Sequence, residues 1–173
     1  CFAFALRTAV ELLDWTSVAD QVANVGATAA ASGQLPEAER LFSQAVTLAR
    51  HLDAPYLLCG WLHRLAKVHA DQGRPEHAER LNREALAIAE EHGERGVQIR
   101  ATVLARRLEV ALGQLRADAA VEALRALVDS WNLPHERALL LAGQWQLDPT
   151  ADAARSAAAE LYGRLYEQTP TVE

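Results

Sequence analysis

His63, Arg64 and Lys67 lie within five residues of one another, and Arg100 and Arg107 are seven apart. On helices, spacings of three, four and seven put side chains on one face. Cations grouped in this way can hold a carboxylate through charge-assisted hydrogen bonds. The plainer alternative is a solvated charged face, which is ordinary on a surface helix. Cys59 and His63 are four apart, and His69 and His77 flank Gly73. Zinc needs about four converging ligands. The sequence directs these histidines to different faces and offers no Cys-x-x-Cys anchor, so they read as unconnected residues, with Cys59 a small buried one.

Catalytic motifs are not found. The chain has no Gly-rich phosphate loop, no nucleophile elbow and no His-Glu-x-x-His. The pairs Glu37/Glu39 and Glu76/Glu79 suit the positive end of a helix dipole, and Glu90/Glu91 suits a solvated face. The expectation is a protein that is not an enzyme and needs no cofactor or metal.

Composition narrows the class. Half of the 173 residues are hydrophobic, enough for one domain with a sizeable core. Alanine, leucine, arginine and glutamate dominate, which favours helix throughout. The formal net charge of −6 argues against direct binding to nucleic acid. No apolar run reaches the length of about 18 residues needed to span a membrane. Cys1 and Cys59 read as free thiols of a cytoplasmic protein. The chain has no methionine and opens in what reads as mid-helix, so the expectation is a piece of a larger protein.

The elements that must position these cations come from a repeat. Gly33-Gln34-Leu35-Pro36-Glu37-Ala38-Glu39-Arg40-Leu41 returns forty residues later from Gly73 as Gly-Arg-Pro-Glu-His-Ala-Glu-Arg-Leu with its proline one place earlier. Ala45 matches Ala85, and Gly113 opens a third copy. A fixed period of this size marks a repeat architecture. Ala78, Leu81, Ala85, Ile88 and Ala89 keep helical spacing, with small residues where helices can approach closely. Pro36 and Pro75 suit a first helical turn. Gly33, Gly73 and Gly113 suit the left-handed position that ends a helix.

The pattern resembles the tetratricopeptide repeat, a helix–turn–helix unit. The resemblance is carried by Trp61-Leu62, Leu65-Ala66, His69, Gly73, Ala78, Asn82 and Ala85, and by Val25-Gly26, Ala29, Gly33, Ala38, Phe42 and Ala45. It covers most of residues 15–131. His69 and Ala29 stand where an aromatic is usual, and Asn82 replaces the aromatic that Phe42 supplies. The period exceeds the family's usual length of about 34, as in bacterial regulatory ATPases and transcription activators.

The resemblance implies an all-α solenoid of antiparallel helix pairs in a right-handed superhelix, a single domain over residues 1–173. The repeats fall at about 15–52, 55–92, 95–131 and 134–168, with 2–13 the second helix of a truncated one, giving nine helices. Trp15, Trp61, Trp131 and Tyr162 read as core. Ala158, Leu161 and Tyr162 return to the register of Ala38, Leu41 and Phe42.

In the family the first helix of each repeat lines the concave face. The positions so placed include Ala23, Asn24, His63, Arg64, Lys67, Arg100, Leu104 and Arg107. The partner-binding set is therefore His63, Arg64, Lys67, Arg100, Arg107 and Asn24. The family's carboxylate clamp is not reproduced, because Leu104 stands where a cation is wanted and Arg64 where an Asn is usual. The function implied is a protein-interaction or scaffolding module of a bacterial regulatory protein, with a protein or acidic peptide as partner. The other reading is a ligand- or peptide-sensing domain of a transcriptional activator.

Overall fold

The computed structural model describes residues 14–131 and 133–168. The truncated-repeat helix expected at 2–13 lies outside the described residues. Those described form eight helices and no strand: α1 (Trp15–Ala31), α2 (Leu35–His51), α3 (Pro55–Asp71), α4 (Pro75–Glu91), α5 (Arg95–Ala111), α6 (Ala117–Val128), α7 (Pro134–Leu147) and α8 (Asp152–Gln168). Contacts divide the chain into one unit ending at Ala101 and a second beginning at Thr102, so the border falls within α5.

The first five helices each have 17 residues, and each begins twenty after the last. The forty-residue repeat of the sequence is therefore two equal beats. Every three-residue connector carries one residue of positive φ: Gly33 at 74°, Asp53 at 49°, Gly73 at 73° and Gly93 at 71°. Each closes the preceding helix in the same way. Gln34 N–H donates to Ala29 O at 2.9 Å, Ala54 to Ala49 at 3.1 Å, Arg74 to His69 at 2.9 Å and Glu94 to Ala89 at 2.8 Å. This pattern satisfies carbonyls that the helix end would leave unpaired. Asp53 has no glycine's freedom, but Asp tolerates the left-handed region better than most residues.

Helix starts are equally local. Asp14 accepts from Ser17 N–H at 3.1 Å and from the Ser17 hydroxyl at 2.5 Å, capping α1. Prolines stand in the first turn of α2, α3, α4 and α7, where a missing N–H costs nothing.

In the first unit α1 packs on α2, α2 on α3 and α3 on α4, and α1 also reaches α3. The core collects Ala19, Ala23, Ala38, Phe42, Ala45, Val46, Ala49, Trp61, Leu62, Leu65, Val68 and Ala85. The repeat-equivalent pairs Ala38/Ala78 and Ala45/Ala85 are all at most 1% exposed. Alanine at these points lets helix axes approach closely, and the larger residues fill the spaces beside them. One pair of sites shows a compensating exchange of size. A methyl on Gly26 would sit 3.3 Å from the Phe42 ring, so glycine makes room for the aromatic. Forty residues on, the equivalent positions hold Ala66 and the smaller Asn82.

The second unit keeps the helices but not the beat. The connector after α5 runs over residues 112–116, two longer than the others, and α6 has 12 residues. Those two residues account for the slip of the third copy: the buried alanine is Ala120, while Asp118, forty after Ala78, is in solvent. α6 packs on α7, and α7 on α8. Gly143 allows a close approach, since a methyl there would lie 2.6 Å from Val103 Cγ1 and 3.1 Å from Leu124 Cδ1.

Three sequence expectations need correction. Trp15 and Tyr162 are 46% and 42% exposed, so of the four aromatics only Trp61 is fully in the core. The register return therefore holds for the buried Ala158 but not for Tyr162. Leu104 and Ala23 are buried in helix packing, 3% and 4% exposed, and do not line a groove.

Candidate functional site

α3 carries His63, Arg64 and Lys67, α4 carries Asn82, and α5 carries Arg100. Asn82 ties these helices together. It is 2% exposed and occupies the place that Phe42 fills in the first repeat. Its Nδ2 donates to the Ala101 carbonyl at 2.8 Å, and its Oδ1 lies 3.2 Å from His63 Nδ1. A buried amide is tolerated only when its donor and acceptor find partners, and here both do. The sequence signal was present, a polar residue in an otherwise apolar periodic position, but its role depends on a carbonyl nineteen residues away.

Around this pivot the charges have one sign. Burial pushes the His63 imidazole down to about 4, and the positive charges of Arg100, Arg64 and Lys67 act in the same direction. Arg100 is exposed at its surface, yet the protein packed around it lowers its pKa, and the charge of Arg64 lowers it further. Arg64 and Lys67 are exposed. Lys67 is neutralised by Asp71, Nζ to Oδ2 2.5 Å. Arg64 and Arg100 have no carboxylate partner among the described residues. Elsewhere most arginines are paired, among them Arg40 with Glu37, Arg50 with Glu84, Arg74 with Glu39, Arg83 with Glu79 and Arg106 with Glu109.

The charges of Arg64, Lys67 and Arg100 thus all act on His63, and that of Arg64 on Arg100. Asn24 is exposed on α1 and takes no part in these interactions. Arg107 is partly buried and belongs to the second unit.

A second polar cluster secures the first repeat to the next. Glu39 of α2 accepts from Arg74 at 2.5 Å and from Gln72 at 3.0 Å, both in the turn after α3. Arg74 is the main cause holding the Glu39 carboxyl below its ordinary value. His69 Nε2 lies 4.0 Å from Glu39, and burial keeps that imidazole low. The His69 and His77 rings meet edge to face at 5.8 Å and 78°. They do not point to different faces as the sequence reading held, because the Gly73 turn folds α4 back beside α3. The described residues hold no group of three His, Cys, Asp or Glu placed to share a metal ion. Cys59 is buried, its thiol donating to Tyr56 O at 3.3 Å, and burial pushes its pKa up. No described helix is long and apolar enough to cross a membrane.

Comparison with known proteins bears on the fold. Residues 19–91 match the family model described as the tetratricopeptide repeat. Among solved structures, the nearly identical TPR-like repeats described for a kinesin light chain of Podosopora anserina superpose with a TM-score of 0.57 at 19% identity, over 95% of this chain and 86% of that one. A variant form of the same repeats gives 0.59 at 19% identity, over 91% and 82%. At that identity the likeness concerns the fold. No match was found among the curated proteins.

Proposed function

Residues 19–91 belong to the tetratricopeptide repeat family, and from that premise we propose that the first unit docks an acidic segment of a partner protein on Arg64 and Arg100. Repeats of this kind serve protein–protein interaction, and no enzyme family is indicated. The observation that carries the reading is a contrast. In a chain of net charge −6, these two arginines have no carboxylate partner among the described residues and the charge of Arg64 acts on Arg100, while most others are paired within their own unit. Like charges held together cost free energy that an anionic partner would relieve. Guanidinium groups suit a carboxylate because their N–H fork matches its two oxygens. The setting we infer is a larger regulatory protein, with this module as its partner-binding part.

The test is binding of a blocked peptide of alternating aspartate and glycine to the intact chain and to Arg64→Glu/Arg100→Glu. The wild type should bind, more weakly as salt rises, because exposed charges are screened beyond about 8 Å at physiological ionic strength. The double variant should lose binding and keep its helical signal. Equal binding by both proteins would assign the two arginines to a solvated surface.

A further inference from the structure

We propose that His63 is a conditional third cation of the Arg64–Arg100 subsite, so that an acidic peptide binds there together with a proton taken from water. This rests on the preceding reading and adds its regulation by pH.

Asn82 fixes the tautomer of His63. The Ala101 carbonyl can only accept, so the group 2.8 Å from it must be the amide nitrogen of Asn82. The amide oxygen therefore faces His63 Nδ1 at 3.2 Å. That oxygen also can only accept, so Nδ1 carries the proton. In the neutral ring, which has one N–H, Nε2 is then left with a lone pair. Nε2 has no hydrogen-bond partner among the described residues, and His63 is only partly buried. Protonation would add an N–H at Nε2 and leave the bond to Asn82 intact. The ring can therefore change charge without rearranging the buried contact that holds it.

The surroundings decide when it does so. The charges acting on His63 are Arg64 and Lys67 from its own helix and Arg100 from α5, while α4 supplies the neutral Asn82. No carboxylate of α1, α2, α4 or α5 is among the leading influences on it. In the free protein the ring stays neutral down to about pH 4: burial is the first cause, the hydrogen bond with Asn82 opposes it, and the cations add to the lowering. A carboxylate seated on Arg64 and Arg100 would cancel the repulsion and supply an acceptor for a new N–H. Binding then raises the affinity of His63 for a proton, and by linkage the proton raises the affinity for the peptide. If docking returns the imidazole to its ordinary value near 6.5, the peptide should bind about tenfold more tightly at pH 5.5 than at pH 7.5.

The probe is the same blocked aspartate–glycine peptide, whose carboxylates stay ionised over this range. Titration calorimetry at both pH values, in two buffers of different ionisation heat, reads affinity and proton uptake together. The expected result is the tenfold gain with net proton uptake at pH 5.5, whereas His63→Gln, folded by its helical signal, should show no difference in affinity between the two pH values and no proton uptake. Ring nitrogen shifts of His63 in the free protein should show the proton on Nδ1. Equal affinity at the two pH values, a gain that persists in His63→Gln, or a proton on Nε2 would overturn the proposal and leave the arginine reading standing. Absence of binding at either pH, or undiminished binding by Arg64→Glu/Arg100→Glu, would remove both.

Discussion

The two units use the same helices under different rules. In the first, helices of one length follow at one interval, each closed by a positive-φ residue, and equivalent alanines are buried to the same degree. In the second, helices of 12, 14 and 17 residues are joined by unequal connectors, while both units bury two polar residues, His69 and Asn82 in the first and Glu136 and Gln144 in the second. Glu136 has a local role, accepting from Leu133 N–H at 3.3 Å at the start of α7. The lesson is that periodicity depends on connector length as much as on side chains. Two added residues before α6 move its buried alanine from position 118 to Ala120.

The largest effect should come from testing that equivalence directly. Ala38→Leu and Ala78→Leu each overpack a fully buried site and should cost toward the upper end of about 1–3 kcal/mol, similar to each other. Asp118→Leu, the next member of the series in the sequence, lies on an exposed side chain and should stay within about 0.5 kcal/mol. Urea midpoints of the three variants decide it, and a large cost at Asp118 would mean that the repeat register continues into α6.

A smaller effect separates the two glycines that admit close packing. Gly143→Ala brings a methyl within 2.6 Å of Val103, so it should cost about 1–2 kcal/mol. Gly26→Ala meets its nearest neighbours at 3.3 Å and should cost about half as much or less. Thermal melting of each variant gives the order, and a reversed order would show the first unit to be the tighter one.

Acid should weaken the first unit through His63. Its folded pKa of about 4 lies below the ordinary value of 6.5, so the unfolded chain takes up the proton first. Above about pH 6.5 neither state is protonated and the group has no effect. As pH falls from there toward 4, stability is lost. His63→Gln should therefore reduce the dependence of the melting temperature on pH between 7 and 5. An unchanged slope would place its source in other groups, His69 among them.

The smallest effect belongs to Asp53, the one residue among those described that is not glycine yet has positive φ. Asp53→Gly should stabilise by about 0.5 kcal/mol, the relief of left-handed strain exceeding glycine's entropic cost. Destabilisation on differential scanning would show that the Asp53 side chain contributes a contact that offsets its backbone strain.

Much of the fold was legible because its signals are local. Gly33, Gly73, Pro55 and Pro75 act on their own neighbours, and Ala38 and Ala78 repeat within a fixed frame. The half-period was missed at Asp53, where the left-handed residue is not the one that sequence rules seek. The candidate site was legible in composition but not in membership. Arg64 and Arg100 could be named from helix faces, whereas Asn24 shares the pattern without acting on His63. Asn82 was noticed as an anomaly, and only the position of Ala101 O explains it.

The equal beat of the first unit also bears on how the chain reaches this state. Each of α1–α4 rests chiefly on the helix before or after it, with further contacts from α1 to α3 and, through Arg50 and Glu84, from α2 to α4. The loops that must close are therefore short, and little chain entropy is spent before contacts begin to repay it. A hairpin of two helices can form wherever the chain first permits it and spread to its neighbour. The connectors set the pace of this process: a residue already disposed to the left-handed conformation stops each helix at its seventeenth position and turns the chain back before it can overrun.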